Sequence, residues 1–237
     1  MQKIFDLSPN CSAKKRKKRD IKFVIIHYTG MQSEIESLNR LKDKKAKVSC
    51  HYLINRKGLV TQLVHENKIA WHAGKSKWKN FNDLNKNSIG IELVNKGHKF
   101  GYQNFSNLQI RKLIILCKKI KKKYKLKSEN FLGHSDISPL RKNDPGEKFP
   151  WKKLSKFNIG KWYKETRIEF KNHEEEKVKE LFFKKLKRIG YRYYSNKTRI
   201  DKKDRLVVKA FQRRYLPDKV TGKIDLKTLK ISHYLVN

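Results

Sequence analysis

His27, His134 and Asp144 are the residues whose types could do chemistry together. His27 closes the apolar run I-K-F-V-I-I-H, His134 sits in F-L-G-H-S-D-I, and Asp144 follows in R-K-N-D-P-G. Two imidazoles and one carboxylate are a three-ligand set for zinc, leaving the fourth position to water or substrate. Structural zinc is normally closed by four protein groups, so this count points to a catalytic metal and to hydrolysis. Each residue alone has a plainer reading. A strand-end histidine can be merely hydrogen-bonded, and Asp144 before Pro145-Gly146 can start a turn. Asp136, in H-S-D, is a rival ligand whose spacing better suits a supporting or turn role.

The elements that must position these residues are readable from periodicity. Residues 21–27 form a β-branched apolar run, the pattern of a buried strand. Residues 33–46 place Ile35, Leu38, Leu41 and Ala46 at helical spacing, and residues 50–64 read as strand, R-K-G turn, strand. Residues 88–95 are a further short strand, and 106–124 a helix with Leu108, Ile110, Leu113, Ile114, Leu116, Cys117 and Ile120 inward. Residues 131–134 resume a strand or loop. Strands alternating with helices predict an α/β domain with a mixed β-sheet flanked by helices. That domain is expected over 21–155, after a flexible basic lead-in at 1–20 and before a linker at 156–173. Residues 174–237 carry helical patterns at 174–190, 205–216 and 225–235, the last with Asp225 as N-cap, and predict a small separate three-helix bundle.

Composition narrows the class. The 237 residues hold 60 Lys+Arg against 22 Asp+Glu, a net charge of +38. An anionic polymer is the partner such charge suits, whether nucleic acid, peptidoglycan or acidic lipid. The enrichment of Lys, Asn and Ile together also fits drift in an A/T-rich genome. K-K-R-K-K-R at 14–19 is the one dense cluster, read as a solvated lead-in. No apolar stretch reaches the roughly 18 residues of a membrane span. No Sec signal peptide is read, which favours the cytoplasm, with an envelope or phage-associated setting as the alternative. Cys11, Cys50 and Cys117 form neither a disulfide framework nor a cysteine metal site.

Six motifs occur in a fixed order: strand-end His27, V-S-C-H-Y-L-I, A-W-H-A-G, N-S-I-G-I-E, G-H-S-D-I-S-P and R-K-N-D-P-G. Over residues 21–155 this order resembles the zinc-dependent N-acetylmuramoyl-L-alanine amidases of the type 2 family, which also contains the peptidoglycan recognition proteins. The resemblance implies zinc ligands at His27, His134 and Asp144, one ion per chain. It implies a catalytic acid at Glu92, a catalytic-site lysine at Lys142 and a substrate-contacting histidine at His72. Where phage-type relatives keep a tyrosine, this chain has Cys50. With Glu92 present, the chain falls in the acid-using, recycling-type subgroup. Residue chemistry agrees: amide hydrolysis needs a carboxylate to move the proton of a metal-activated water, and cations near the developing oxyanion.

The C-terminal segment resembles the peptidoglycan-binding type 1 domain in V-V-K-A-F-Q-R-R-Y, in D-K-V-T-G (218–222) and in D-L-K-T-L. The plainer reading is a helical cap on the catalytic domain. The expected function is cleavage of the muramyl–L-alanine amide in peptidoglycan or muropeptides by a monomer. The alternatives are a recognition protein that binds peptidoglycan without cutting it, and a nucleic-acid binder driven by charge alone.

Overall fold

The strand Phe23–Tyr28 is buried on both faces from Phe23 to His27, and strands pair along both of its edges. A computed structural model describes residues 4–165, 175–195 and 199–236. It contains β1 (Ile4–Phe5), β2 (Phe23–Tyr28), α1 (Glu34–Lys42), β3 (Tyr52–Ile54), β4 (Val60–Gln62), β5 (Lys77–Trp78), β6 (Phe81–Asn82), β7 (Ser88–Leu93), α2 (Asn107–Tyr124), β8 (Phe131–Gly133), α3 (His134–Ile137) and α4 (Trp151–Ser155). The helices α5 (Glu175–Ile189), α6 (Lys202–Tyr215) and α7 (Leu226–Tyr234) follow. The six-stranded sheet runs β1-β4-β3-β7-β2-β8, and β5 with β6 makes a separate hairpin. Only β3 and β4 pair antiparallel within the large sheet, where residues 55–59 turn the chain; the other neighbours are parallel. The expected mixed α/β architecture is the one observed.

Strand alternation sorts the two faces. Val24 and Ile26 of β2, with Ile89 and Ile91 of β7, pack under Ile110, Leu113 and Cys117 of α2. Phe23 and Ile25 point the other way and pack with Trp78, Leu84 and Leu132 against Phe182, Leu186, Val207, Phe211 and Leu229 of the last three helices. The C-terminal bundle is therefore not separate. It shares one apolar core with the far face of the sheet, and Asp136, Tyr191 and Arg214 join the two parts by buried polar contacts. Within it, Gln212 is the node of the quoted motif. Its Oε1 accepts from Thr221 N (3.0 Å) and Gly222 N (2.8 Å), and its Nε2 donates to Lys223 O (2.9 Å) and Thr228 Oγ1 (3.1 Å). Asp225 caps α7 as expected, accepting from Thr228 N. Of the expected linker, 156–165 is described and 166–173 lies outside the described residues, as does residue 174 of the first expected helix.

Other expectations shift in phase. Leu108 and Ile35 are 54% and 71% exposed rather than inward. At 100° per residue Leu108 lies about half a turn from Leu113 and Cys117, and Ile35 a similar angle from Leu41. α1 ends at Lys42, where Asp43 turns extended and its carboxylate caps a following short 3-10 turn.

The basic lead-in is the largest correction. Residues 4–20 lie along the sheet: β1 adds an edge strand beside β4, and Cys11 bridges to Ala70. Arg16, centre of the basic cluster, is buried. It donates to the carbonyls of Glu66, Asn85, Lys86 and Ser88, and its Nη2 meets His51 Nε2 at 2.8 Å. A guanidinium presents five donors in a rigid fork, which lets one side chain tie the end of β4 to the entry of β7. Burial lowers its pKa to about 10, so it stays charged at neutral pH. Replacing Arg16 with Met strips several carbonyls of their donor at once. Chemical denaturation of that variant should show a loss of about 3 kcal/mol or more, well beyond an ordinary surface substitution.

Candidate metal centre and its cleft

Parity on β2 and β7 brings the first two site residues to one face. In the parallel register His27 sits opposite Glu92, and both share the side of Phe23, Ile25 and Gly90. His134 opens α3 directly after β8, the strand on the other flank of β2, and Asp144 returns in the loop beyond it. That loop is tied to α3 where Ser135 N donates to Asp144 O at 2.8 Å. Gly133 leaves room for Pro145; a Cβ there would stand 2.7 Å from its Cδ.

The result is a triangle of donor atoms. His27 Nδ1, His134 Nδ1 and Asp144 Oδ2 are each 3.0 Å from the other two, and all three residues are buried. Among the described residues this is the His/Cys/Asp/Glu group close enough to hold a metal. Tautomers follow from the outer hydrogen bonds. His134 Nε2 donates to Ala73 O at 3.1 Å, leaving Nδ1 with its lone pair toward the triangle. His27 Nε2 donates to His72 Nδ1 at 3.0 Å; His72 Nε2 in turn faces Ser88 Oγ, which donates to Leu84 O. Burial, then the neighbouring His134, lowers the His27 pKa to about 4, so the ring is neutral at physiological pH. Two lone pairs and a carboxylate oxygen thus converge with no proton between them. Tetrahedral zinc with bonds of about 2.0–2.1 Å sets its ligands about 3.3 Å apart, close to the spacing here. The donor set fits zinc.

Each remaining expected residue has a definite place. Glu92 is half-buried beside the triangle, and its Oε2 is buried with no hydrogen-bond partner. Burial, then the charge of Asp144, raises its pKa to about 8, with Lys142 opposing. Lys142 lines the same cleft, two residues from Asp144. His72 lines the cleft as well. Both its ring nitrogens are engaged within the protein, Nδ1 with His27 Nε2 and Nε2 with Ser88 Oγ, so it supports His27 from the cleft wall. Gly90 exists for this ring: a Cβ there would lie 2.4 Å from His72 Cγ. Cys50 is fully buried with Leu41, Leu53, Leu63 and Val94, and its thiol is pushed well up by burial and then by Glu92, so it packs and does not titrate. Asp136 is not a ligand; it accepts from Gly133 N, Tyr191 Oη and Arg214 Nη1.

The triangle opens into a cleft of about 450 Å³. Its lining includes residues that the sequence did not single out: Arg40, Lys99 and Arg141, all cationic, and the pair Tyr28 and His98. Tyr28 Oη meets His98 Nδ1 at 2.8 Å and His98 Nε2 meets Glu147 at 3.1 Å. Arg141 donates to Ala73 O beside His134 Nε2. The adjacency of Arg141 to Lys142 was the one available signal; the rest depends on loops meeting in space. A recess of about 500 Å³ against α2 holds Glu66, but Tyr52, Tyr124 and Lys123 already occupy that carboxylate.

Because three neutral or anionic donors converge, removing any one should be decisive. His27→Ala, His134→Ala and Asp144→Ala chains should each lose tight zinc binding in a chelator competition, whereas Asp20→Ala, distant from the triangle, should keep it.

The family model described as N-acetylmuramoyl-L-alanine amidase matches residues 17–147. N-acetylmuramoyl-L-alanine amidase AmiD of Escherichia coli K12 is 37% identical over 233 residues, covering 91% of this chain and 82% of that protein. The 1,6-anhydro-N-acetylmuramyl-L-alanine amidase AmpD of Haemophilus influenzae is 34% identical over 167 residues, 63% of this chain and 85% of that protein. The solved complex of the E. coli AmiD with anhydro-N-acetylmuramic acid-L-Ala-D-gamma-Glu-L-Lys superposes with a TM-score of 0.79 at 34% identity, over 95% of this chain and 91% of that one. With more than half its length inside the family match and its fold shared from end to end with such a relative, the chain belongs to the N-acetylmuramoyl-L-alanine amidase family.

Proposed function

We propose that this chain is a zinc-dependent amidase that hydrolyses the amide between N-acetylmuramic acid, or its anhydro form, and the L-alanine of the stem peptide. The observation that carries the reading is the buried triangle opening into one cleft with Glu92 and Lys142. When bound, zinc supplies Lewis acidity and lowers the pKa of a coordinated water to about 7. Glu92 takes the proton of the attacking water and delivers it to the departing L-alanine nitrogen. Its unpartnered Oε2 and a pKa raised to about 8 suit a group that must both accept and return a proton near neutrality. The Lys142 ammonium faces the negative charge that develops on the carbonyl oxygen. His72 keeps the His27 lone pair aimed inward. Arg40, Lys99 and Arg141 give the cleft a positive lining suited to stem-peptide carboxylates. The anhydromuramyl tripeptide bound by the E. coli relative supports this substrate class. A complete ligand set with Glu92 beside it favours cutting over binding alone.

The last three helices act, on this reading, as a peptidoglycan-binding type 1 module. The Gln212 network that knits A-F-Q to T-G and T-L supports the assignment.

Release of the stem peptide from an anhydromuramyl tripeptide, followed by chromatography, tests the amidase reading. Chelation should abolish release. Glu92→Gln should slow it by about 10²–10⁴-fold and Lys142→Met by roughly 10²-fold. Release that survives both chelation and loss of the Glu92 carboxylate would sink the proposal.

Glu92 also makes a stability prediction for the metal-free chain. A carboxyl whose pKa rises from 4.5 to about 8 on folding is stable in place when protonated, and its stability contribution is lost as pH climbs through that window. Glu92→Gln mimics the protonated form at every pH. In denaturant titrations the variant should therefore gain on the parent chain from about pH 4.5 up to about pH 8; a difference independent of pH would contradict the assignment.

A further inference from the structure

The contacts of Asp136 reach beyond the catalytic segment. Its Oδ2 accepts from Gly133 N at 2.8 Å, the N–H immediately before the ligand His134, and also from Arg214 Nη1. Its Oδ1 accepts from Tyr191 Oη at 2.6 Å. The second branch of Arg214 donates from Nη2 to Phe131 O at 3.0 Å, on β8, and the guanidinium carbon lies 3.9 Å from the Trp151 ring centroid. Asp136 and Arg214 are 1% and 4% exposed, and Tyr191 is fully buried. Arg214 thus holds both the strand that leads into His134 and the carboxylate two residues after it. Its neighbour Arg213 pairs at 4.0 Å with Glu147, three residues after Asp144. Adjacent residues of α6 therefore grip both chain segments that carry ligands. Those segments have little stability of their own: α3 is a single turn of 4 residues, too short to hold its geometry alone.

We propose that Arg214 and Tyr191 of the C-terminal helices are positioning residues for the metal centre, setting the orientation of the His134 imidazole through Asp136. Both lie outside the matched family segment 17–147. The helical unit then does more than hold polymer: it completes the support of a ligand from a distant part of the chain. Groups that brace ligands in this way typically matter 10–100-fold for metal affinity. The inference rests on the zinc reading of the triangle.

The test uses the full chain, loaded with zinc for affinity and with cobalt(II) for its visible spectrum, which reports ligand geometry. Tyr191→Phe deletes one hydroxyl at constant volume; Arg214→Met removes the fork. Expected are zinc affinities weakened about 10-fold for Tyr191→Phe and up to about 100-fold for Arg214→Met, with altered cobalt bands. Arg214→Lys, which keeps the charge but not the two-branched contact, should recover part of the loss. Folded variants with parental zinc affinity and parental cobalt bands overturn the proposal and leave the bridge as a mechanical joint. Should Arg214→Met fail to fold, Tyr191→Phe decides on the same two readouts. A parental chain that takes up no zinc overturns the zinc reading and this inference together, whereas unchanged variants of a zinc-binding chain overturn this inference alone.

Discussion

The convergence of His27 Nδ1, His134 Nδ1 and Asp144 Oδ2 in a buried place is the constraint on which the rest of the structure depends. Left to themselves, two nitrogen lone pairs and a carboxylate oxygen at 3.0 Å repel one another. The protein can hold them so only by fixing what lies behind them. Each imidazole gives its remaining N–H outward, His134 to Ala73 O and His27 to His72, and His72 continues through Ser88 to Leu84 O. These outer contacts select the tautomer and stop the rings from turning away.

The same demand explains features of the sheet. His27 and Glu92 must share a face, and a parallel register that sets them opposite each other does so directly. The face then needs space for His72 behind His27, which is why β7 carries Gly90 between Ile89 and Ile91. Arg16 works from the opposite end, holding the entry of β7 to the end of β4 by carbonyl contacts. One residue of a lysine-rich run has been drawn into the fold, while its neighbours on both sides stay exposed.

The apolar layer that Phe23 and Ile25 form with Phe81, Trp78, Leu84 and Leu132 continues into the last three helices, where Trp78 meets Tyr191. Burial of that surface, at about 25 cal/mol per Å², is what joins the helices to the catalytic part. The buried Arg214–Asp136 pair adds direction to that non-directional attraction, because its geometry is satisfied only in one docking pose. Catalytic segment and helical unit are one packed body with one continuous core on that side.

Much was legible in the sequence, for reasons of local physics. Short apolar runs located β2 and β7, the 3.6-residue period located α2 and α6, and the ordered motifs named His27, His134, Asp144, Glu92 and Lys142 before their meeting could be seen. Residue type alone restricts which groups can bind a metal or move a proton, so such residues stand out in any order along the chain. What the sequence could not determine was which neighbours would spend those groups. His72 reads like another site histidine, yet both its nitrogens are taken by His27 and Ser88, which approach from other strands and loops. Arg16 reads as one charge in a solvated run, yet its donors found carbonyls more than fifty residues away in the chain. Arg214 and Asp136 have nothing in common locally and are bound to each other across 78 positions. Hydrogen-bond partners and burial are properties of packing at long sequence separation; periodicity reports only which side of its own element a residue faces.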